Sequence, residues 1–310
     1  MIKGDNMVGW LIYSERDVEK NKRYIEFYIE EGKLQDMQIK LILVEKLEFG
    51  VRNNTWYINY ENNEIIYPDF AICRTIYPLL NKQLEYMEIK VFNNSKVAEI
   101  CNDKARTYQY VAQLGIDMVD SAFIKNYMVK EAMNLLYKPS VIKTVEGHGG
   151  SQVFLLEPSQ AKTTKEDVSN EKIDNTTHVE CDKYKILNDI NQSNVVLQPL
   201  TGSRHQDLRV YVIGKNIIAA ILRTAKNGFK SNFSLGGDVR TYQLSKEETT
   251  IVEKIINLFN FGMVGIDFII GDNGELIFNE IEDVVGARML YQCTDINLVR
   301  LYLDFIKMNL

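Results

Sequence analysis

The sequence lacks the features that mark most specialised classes of protein. A formal net charge of −6 over 310 residues provides no basic field for a nucleic acid or a membrane surface. The four cysteines stand far apart without a CxxC pair, so they indicate neither a zinc site nor a disulfide framework. Every apolar run falls short of the roughly 20 residues that span a bilayer. We therefore expect a protein of the reducing cytoplasm without a nucleic-acid or membrane partner. The sequence leaves open whether the protein forms a homo-oligomer.

Several catalytic signatures are missing as well. The chain has no Walker A loop, no GxGxxG, and no Ser/His/Asp or Cys/His arrangement. It also has no internal repeat of the roughly 20 to 50 residues that build solenoids. A chemistry that needs a dedicated covalent nucleophile is thus not indicated. The function has to be sought among the charged residues.

The order of strands and helices predicts three lobes of mixed α/β structure. Residues 1–93 alternate between apolar strands and helices, which favours a small α/β lobe with a mostly parallel sheet. Residues 94–197 contain a long helix, the hairpin "SVIKTVEGHGGSQVFLL" and a polar insertion at 157–177. Residues 198–310 contain further strands, a helix, a second hairpin and a terminal helix.

An unusual group of acids lies in "GIDFIIGDNGELIFNEIEDVVGARML", residues 265–290. The Asn-Gly pair at 273–274 predicts a two-residue type I′ turn between two strands. Counting back from that turn places Asp267 directly opposite Glu280. Glu282 shares their face because side chains alternate along a strand. The hairpin therefore brings three carboxylates together.

This acidic face has two interpretations. Like charges directly opposite each other destabilise a sheet, so the face is either a solvated edge or a site for a hard cation. The same alternation puts Ile269, Leu276 and Phe278 on that face, which is untypical of a plain polar exterior. Carboxylate oxygens suit Mg²⁺, which usually shares its coordination shell with substrate phosphates. We favour the magnesium site.

Two lysines occupy positions with apolar neighbours. Lys104 falls on the apolar stripe of a helix predicted over 96–114, for which Asn94 or Ser95 is the cap. Lysine stems often lie along apolar surfaces with the charge in water, so the stripe alone does not decide a function. Lys143 lies on the strand "SVIKTV", directly before the glycine-rich "EGHGG". A lysine beside such a loop is a combination that binds phosphate.

Further basic residues are concentrated in "DLRVYVIGKNIIAAILRTAKNGFKSNFSLGG". Arg209 and Arg223 each lie on a predicted strand, and Lys230 and Asn232 follow in the loop. A guanidinium group binds phosphate or carboxylate through two parallel hydrogen bonds. The arginines therefore either bind an anionic ligand or pair with a local carboxylate such as Asp207.

In this order, the blocks resemble the ATP-grasp superfamily, and most closely its RimK-like branch of carboxylate–amine ligases. The resemblance begins at "NDKARTYQYVAQLGIDMVDS" and ends with "GIDFIIGDNGELIFNEIE", which is about two thirds of the chain. The order of the blocks is specific, although each block alone is weak. The resemblance implies an ATP-grasp fold, in which residues 94–197 and 198–310 enclose the nucleotide. Residues 1–93 would form the N-terminal α/β lobe and residues 146–151 a flap.

The resemblance also implies a reaction and residue roles. The family transfers phosphate from ATP to a carboxylate, and an amine then attacks the acyl phosphate to form an amide. Lys104 and Lys143 resemble the lysines that contact ATP, and Lys143, Arg209 and Arg223 match positions near the reacting groups. The other nucleotide-binding positions are Gln198, Pro199 and Leu200 at the adenine hinge, Asp207 at the ribose, and Lys230 and Asn232. Asp267, Glu280 and Glu282 match the ligands of one or two Mg²⁺ ions, for which Mn²⁺ can substitute.

Two motifs depart from the family pattern. The hinge has Gln198 where a glutamate is usual, and Pro199 lacks a backbone N–H, so purine recognition is expected to depend on Leu200. The metal motif is usually Glu-x-Asn, but here Glu282 takes the last position. Asn279, the residue before Glu280, is an alternative to Glu282 as the last ligand of the metal site.

We therefore predict a ligase for a carboxylate-bearing amino acid or peptide and an amine acceptor. A nucleotide-binding module of the same fold without ligation, and an ATP-dependent phosphotransferase, are the alternatives. Arg74, Arg288 and Tyr291 are candidates for contact with the acyl substrate. Among them only Arg288 has a position like that of the family, directly after the metal-binding strand.

Overall fold

The structure is a computed structural model that describes residues 7–147, 152–158, 184–190, 192–225 and 238–310. Lys230, Asn232 and most of the predicted flap and polar insertion lie outside the described residues. Within the described ranges, four β-sheets and the helices around them form the fold. None of the described helices has the length and apolar character that crossing a membrane requires.

The first part of the chain forms a parallel sheet, as predicted. Its elements, with a short 3₁₀ helix at Val44–Lys46, are β1 (Met7–Tyr13), α1 (Glu15–Leu34), β2 (Met37–Leu43), β3 (Leu47–Arg52), β4 (Thr55–Tyr60), β5 (Asn63–Glu64), β6 (Phe70–Cys73), α2 (Pro78–Tyr86) and β7 (Lys90–Phe92). The parallel sheet has the order β2-β1-β6-β7. Trp10, Leu11 and Ile12 of the central strand β1 are fully buried, which is typical of a parallel strand covered on both faces.

A small antiparallel sheet that was not predicted lies between β2 and β6 in the chain. Strands β3 and β4 pair from Leu47–Tyr60 to Arg52–Thr55, and β5 adds a short third strand. The turn between β3 and β4 consists of Asn53 and Asn54, both with positive φ, which is the geometry of a type I′ turn. The Asn-Asn pair between two strand-forming runs was therefore the available signal.

The helix predicted over 96–114 is two helices, α3 (Ser95–Cys101) and α4 (Lys104–Ala112). Asn94 caps α3, as predicted, by accepting a hydrogen bond from the Val97 N–H. Asp103 starts a second helix because its side chain accepts from the Arg106 N–H at 3.0 Å. Lys104 is consequently the first residue of α4 and does not lie in the middle of one apolar stripe.

The middle of the chain forms an antiparallel sheet of order β10-β9-β11-β8. Its elements, with a 3₁₀ helix at Asn126–Met128, are β8 (Ala122–Ile124), α5 (Val129–Asn134), β9 (Ser140–Thr144), β10 (Val153–Leu156), α6 (the described residues 184–190) and β11 (Val195–Pro199). The lobe boundary predicted after residue 197 falls inside β11. The three-lobe division itself stays a prediction.

The last part of the chain forms an antiparallel sheet of order β14-β13-β12-β15-β16. Its elements are β12 (Gln206–Ile213), β13 (Asn216–Thr224), β14 (Asp238–Tyr242), α7 (Lys246–Leu258), β15 (Met263–Ile270), β16 (Leu276–Glu282), α8 (Arg288–Cys293) and α9 (Leu298–Met308). Strand β14 was not predicted.

One apolar core joins the two ends of the chain. Phe70 of the parallel sheet, Tyr211 of β12 and Tyr302 of α9 belong to the same buried cluster. Burial of such large side chains contributes about 1.5 to 3 kcal/mol each. The parallel sheet is therefore packed against the last part of the chain, and the loop after β16 lies next to the carboxyl ends of β1 and β6.

Candidate active site

The predicted pairing of the acids across β15 and β16 is confirmed, although the predicted turn is wrong. Asp267 pairs with Glu280, and Gly265 pairs with Glu282. The turn is not a two-residue turn, because β15 ends at Ile270 and β16 begins only at Leu276. A β-bulge beside Asp267 compensates for the one-residue difference between the predicted and the observed register.

The bulge also decides which side chains face the acids. Asn279 of β16 is an extra residue between the pairs Asp267–Glu280 and Phe268–Phe278. The alternation of side chains between the two faces of β16 therefore shifts by one residue at this point. Leu276 and Phe278 are buried in the core on the opposite face of the sheet. The prediction that they share the acidic face is therefore wrong. Asn279 lies on the side of the acids, where it accepts a hydrogen bond from Lys143.

Asp267 is the most enclosed of the three acids, with an exposed fraction of 1%. Arg209, its direct neighbour on β12, donates from Nε to Oδ1 at 2.8 Å and from Nη2 to Oδ2 at 2.7 Å. Arg223 donates from Nη2 to Oδ2 at 2.7 Å. Burial raises the pKa of Asp267, but the two guanidinium groups outweigh it and lower the pKa to about 2. Two arginines thus offset the repulsion between the acids.

Each arginine has a second carboxylate partner. Arg223 pairs with Asp207, its neighbour across β12 and β13, and Arg209 pairs with Glu282. The local pairing of Arg223 with Asp207 that the sequence suggested is confirmed. The result is a row of alternating charges in which each guanidinium bridges two acids. Removal of one member is costly, because each neighbouring buried charge then loses one of its partners.

The two lysines lie at the acidic strand β16. The Lys104 backbone N–H donates to the carbonyl of Val145 at 2.9 Å, and its ammonium group donates to the carbonyl of Gly147. The Lys104 Nζ also lies 3.9 Å from Glu280 Oε2. Lys143 donates from Nζ to Asn279 Oδ1 at 2.8 Å. Burial lowers the pKa of Lys143 to about 8, against the opposing effect of Glu280.

The predicted adenine hinge is part of the central sheet. Gln198 is buried and donates from Nε2 to Ser121 Oγ at 2.8 Å. The Leu200 N–H, on which purine recognition was expected to depend, donates to the carbonyl of Pro139 at 3.0 Å. Pro199 pairs with Ser140 across β11 and β9. The role of these three residues in adenine binding stays a prediction.

A cavity of about 1270 Å³ opens between the carboxyl ends of β1 and β6 and the end of β16. The predicted site residues on its wall are Lys104, Arg209, Arg223, Glu280 and Glu282. The cavity exceeds the roughly 300 to 1,000 Å³ of a pocket for one small molecule, so a nucleotide and a second substrate have room together. Of the predicted flap, Glu146 and Gly147 are described, and both line this cavity.

The parallel sheet also contributes to this wall, and of its residues the sequence predicted only Arg74, as a candidate for contact with the acyl substrate. Tyr13, Arg16 and Lys20 line the cavity from β1 and the start of α1, and Arg74 lines it from the residue after β6. The available signal was positional, because ligands of open parallel sheets bind at the carboxyl ends of the strands. It required the strand order, which the sequence alone does not reveal.

The donor set on the wall suits a hard cation. Glu280, Glu282 and Asn279 present oxygen ligands, which Mg²⁺ prefers. The described ranges contain no group of three His, Cys, Asp or Glu side chains already arranged around a metal position. Both oxygens of Asp267 accept hydrogen bonds from arginine. Two carboxylates suffice for Mg²⁺ when phosphate oxygens complete its shell, and the three-acid site stays a prediction.

Comparisons with known proteins agree on one fold. A profile of the RimK-like ATP-grasp domain matches residues 101–306. The uncharacterized protein MG011 of Mycoplasma genitalium is 26% identical over 310 residues, covering 98% of this chain and 94% of that protein. A probable alpha-L-glutamate ligase of Vibrio vulnificus is 24% identical over 288 residues, covering 90% and 89%. The crystal structure of a RimK domain ATP-grasp protein of Sphaerobacter thermophilus superposes with a TM-score of 0.67 at 14% identity, covering 97% and 99%. The predicted ATP-grasp fold is confirmed.

Proposed function

The chain belongs to the RimK-like ATP-grasp family, and from this we propose that it is an ATP- and Mg²⁺-dependent carboxylate–amine ligase. It transfers the terminal phosphoryl group of ATP to a substrate carboxylate, and an amine then displaces phosphate to form an amide. The carboxylate substrate is an amino acid or a peptide, in line with the name alpha-L-glutamate ligase that a relative carries. The observation that supports this most is that Lys104, Arg209 and Arg223 lie with Glu280 and Glu282 on the wall of one cavity.

The chemistry explains why both signs of charge are needed. Phosphoryl transfer to a carboxylate brings two anions together, so catalysis depends on positioning and on neutralisation of charge. Lys104 and Lys143 are proposed to bind phosphate oxygens, and Arg209 and Arg223 to stabilise the transferred group. A bound Mg²⁺ would neutralise triphosphate charge. Glu280 and Glu282 would hold it, with Asp267 as the further ligand that the family pattern implies.

The arginines have to exchange partners for this role. In the structure the guanidinium groups of Arg209 and Arg223 are bound to Asp267. A phosphate group competes for the same planar hydrogen bonds, and a cation at the acids compensates for the contacts they lose. We therefore propose that nucleotide and metal bind cooperatively. Gln198, Pro199, Leu200 and Asp207 are proposed for the adenosine part, together with Lys230 and Asn232 outside the described residues.

The test is a screen of amino acids and short peptides for phosphate release from ATP in the presence of Mg²⁺. Release that requires a carboxylate and an amine together, with an amide product by mass spectrometry, is the expected result. Nucleotide binding without turnover would support a non-ligating module instead. Turnover with an alcohol acceptor alone would support a phosphotransferase.

A further inference from the structure

Arg74 is a buried cation that forms no ion pair with a carboxylate of the described residues, although the buried Asp283 interacts with it electrostatically. Its exposed fraction is 8%, and it lines the cavity. The guanidinium donates from Nη2 to the carbonyl of Val285 at 2.8 Å, while its Nε has no hydrogen-bond partner. In the described part of the chain no ion pair joins it to an Asp or Glu side chain. Arginine stays charged at any physiological pH, so this buried charge is costly unless an anion meets it.

The position of Arg74 in the sheet is one where ligands bind. Strand β1 is followed by β2 on one side, whereas β6 is followed by β7 on the other side. The order in which strands are added to the sheet therefore reverses between β1 and β6. Open parallel sheets bind ligands in the crevice at that point. Arg74 follows β6 directly, and its backbone N–H donates to the carbonyl of Ile12 at 2.8 Å. Tyr13, the last residue of β1, lines the same cavity.

Three buried tyrosine hydroxyl groups lie around Arg74. The hydroxyl of Tyr13 interacts with the Arg74 guanidinium, and the hydroxyl of Tyr24 interacts with those of Tyr28 and Tyr291. The Arg74 guanidinium carbon lies 5.5 Å from the centre of the Tyr24 ring. Each buried polar group that stays unpaired costs about 1 to 3 kcal/mol. Of these residues, Tyr13 lines the cavity together with Arg74, so the Tyr13 hydroxyl and the unpaired Arg74 Nε are the groups that a ligand in the cavity can complete.

We propose that Arg74, together with Tyr13, binds a carboxylate group of an amino-acid substrate and thereby determines the substrate class of the ligase. A guanidinium fork binds a carboxylate through two parallel hydrogen bonds, and a tyrosine hydroxyl donates a third. Val285, which Arg74 contacts, lies three residues after Glu282, so the bound substrate is held beside the end of β16. The proposal rests on the proposed ligase function. A phosphate of the nucleotide is the competing anion, and the test separates the two.

The experiment measures binding by calorimetric titration in the presence of Mg²⁺ and a non-hydrolysable ATP analogue. The probes are L-glutamate and the other standard amino acids, each titrated into the full-length wild type and into Arg74→Gln, Arg74→Lys and Tyr13→Phe. Arg16→Gln is the matched control, because Arg16 lines the same cavity but is exposed. The affinity of each variant for the ATP analogue is measured separately, and circular dichroism establishes that each variant is folded.

We expect at least one amino acid to bind the wild type. Arg74→Gln should weaken that binding at least about tenfold, as loss of a hydrogen-bonded charge does. Arg74→Lys should recover part of it and Tyr13→Phe should lose a smaller part, with the ATP analogue bound as in the wild type. Arg16→Gln should have a much smaller effect. If Arg74→Gln does not fold, Arg74→Lys and Tyr13→Phe decide the question.

Three results would overturn the proposal. They are unchanged amino-acid binding in the Arg74 variants, an equal loss of affinity for the ATP analogue, and a wild type that binds none of the amino acids. The second result would assign Arg74 to a phosphate group. Failure of the proposed ligase function is recognised separately in the phosphate-release screen, where it appears as the lack of any release that requires a carboxylate and an amine together.

Discussion

Replacement of Asp267 by asparagine tests whether the row of alternating charges holds β12, β13 and β15 together. The Asp267 carboxylate accepts three hydrogen bonds from Arg209 and Arg223, and its exposed fraction is 1%. Asparagine has the same shape but no charge, and its amide NH₂ would face a guanidinium group. The change therefore keeps the side-chain volume and removes the charge that both arginines share, together with the hydrogen bonds that one carboxylate oxygen accepts.

The expected loss in free energy of unfolding is about 3 kcal/mol. Removal of one partner from a buried ion pair costs about 3 to 5 kcal/mol. We expect the lower end because Arg223 keeps Asp207 and Arg209 keeps Glu282. The loss should also depend on pH. The pKa of Asp267 is about 2 in the folded protein and 3.8 ordinarily, so its contribution is complete above pH 4 and is lost as the pH falls towards 2.

The assay is urea unfolding of the metal-free protein in the presence of EDTA, followed by circular dichroism and tryptophan fluorescence. Asp304→Asn is the control, because Asp304 is exposed on α9, and its loss should stay below about 0.5 kcal/mol. The difference between the wild type and Asp267→Asn should shrink as the pH falls from 4 to 2. A loss below about 1 kcal/mol at pH 7, or a difference that does not change with pH, would refute the assigned role of Asp267.

Three further predictions concern the proposed reaction. Glu280→Gln should reduce phosphate release at least about 100-fold, because it removes a metal ligand. It should change the free energy of unfolding by less than about 1 kcal/mol, because the Glu280 side chain is 36% exposed and lies 3.9 Å from the Lys104 ammonium group. Full activity of this variant would contradict the metal assignment. Lys143→Ala should weaken binding of an ATP analogue about tenfold in calorimetry, since it removes a charged hydrogen-bond donor, and unchanged affinity would exclude Lys143 from the nucleotide site. EDTA should abolish phosphate release and Mn²⁺ should restore it, whereas activity that persists in EDTA would argue against a metal-dependent ligase.

The fold was predictable where local periodicity is strong. The strand Met7–Tyr13, the parallel arrangement in the first part of the chain and the hairpin of β15 and β16 follow from apolar runs and turn residues. The break between α3 and α4 was not predicted, because the apolar spacing continues across it. Only the cap formed by Asp103 reveals the break.

The candidate site was predictable in its residue types but not in its contacts. Pairing of Asp267 with Glu280 was derived from a turn that is wrong, and the bulge beside Asp267 restored the pair. A bulge depends on packing against neighbouring strands, which leaves no clear pattern in one strand. The same holds for Arg209, because its position opposite Asp267 requires that β12 and β15 be neighbours.

The amino-acid sequence by itself determined which charged groups the protein has and that β15 and β16 form a hairpin, because both depend on residue identity and short-range alternation. Only the tertiary structure decided that Arg209 and Arg223 neutralise Asp267. It also decided that Arg74 and Tyr13 lie where the strand order of the parallel sheet reverses. Those arrangements join residues far apart in the chain. They depend on the order in which strands assemble, which is set by burial of the whole core rather than by any local segment.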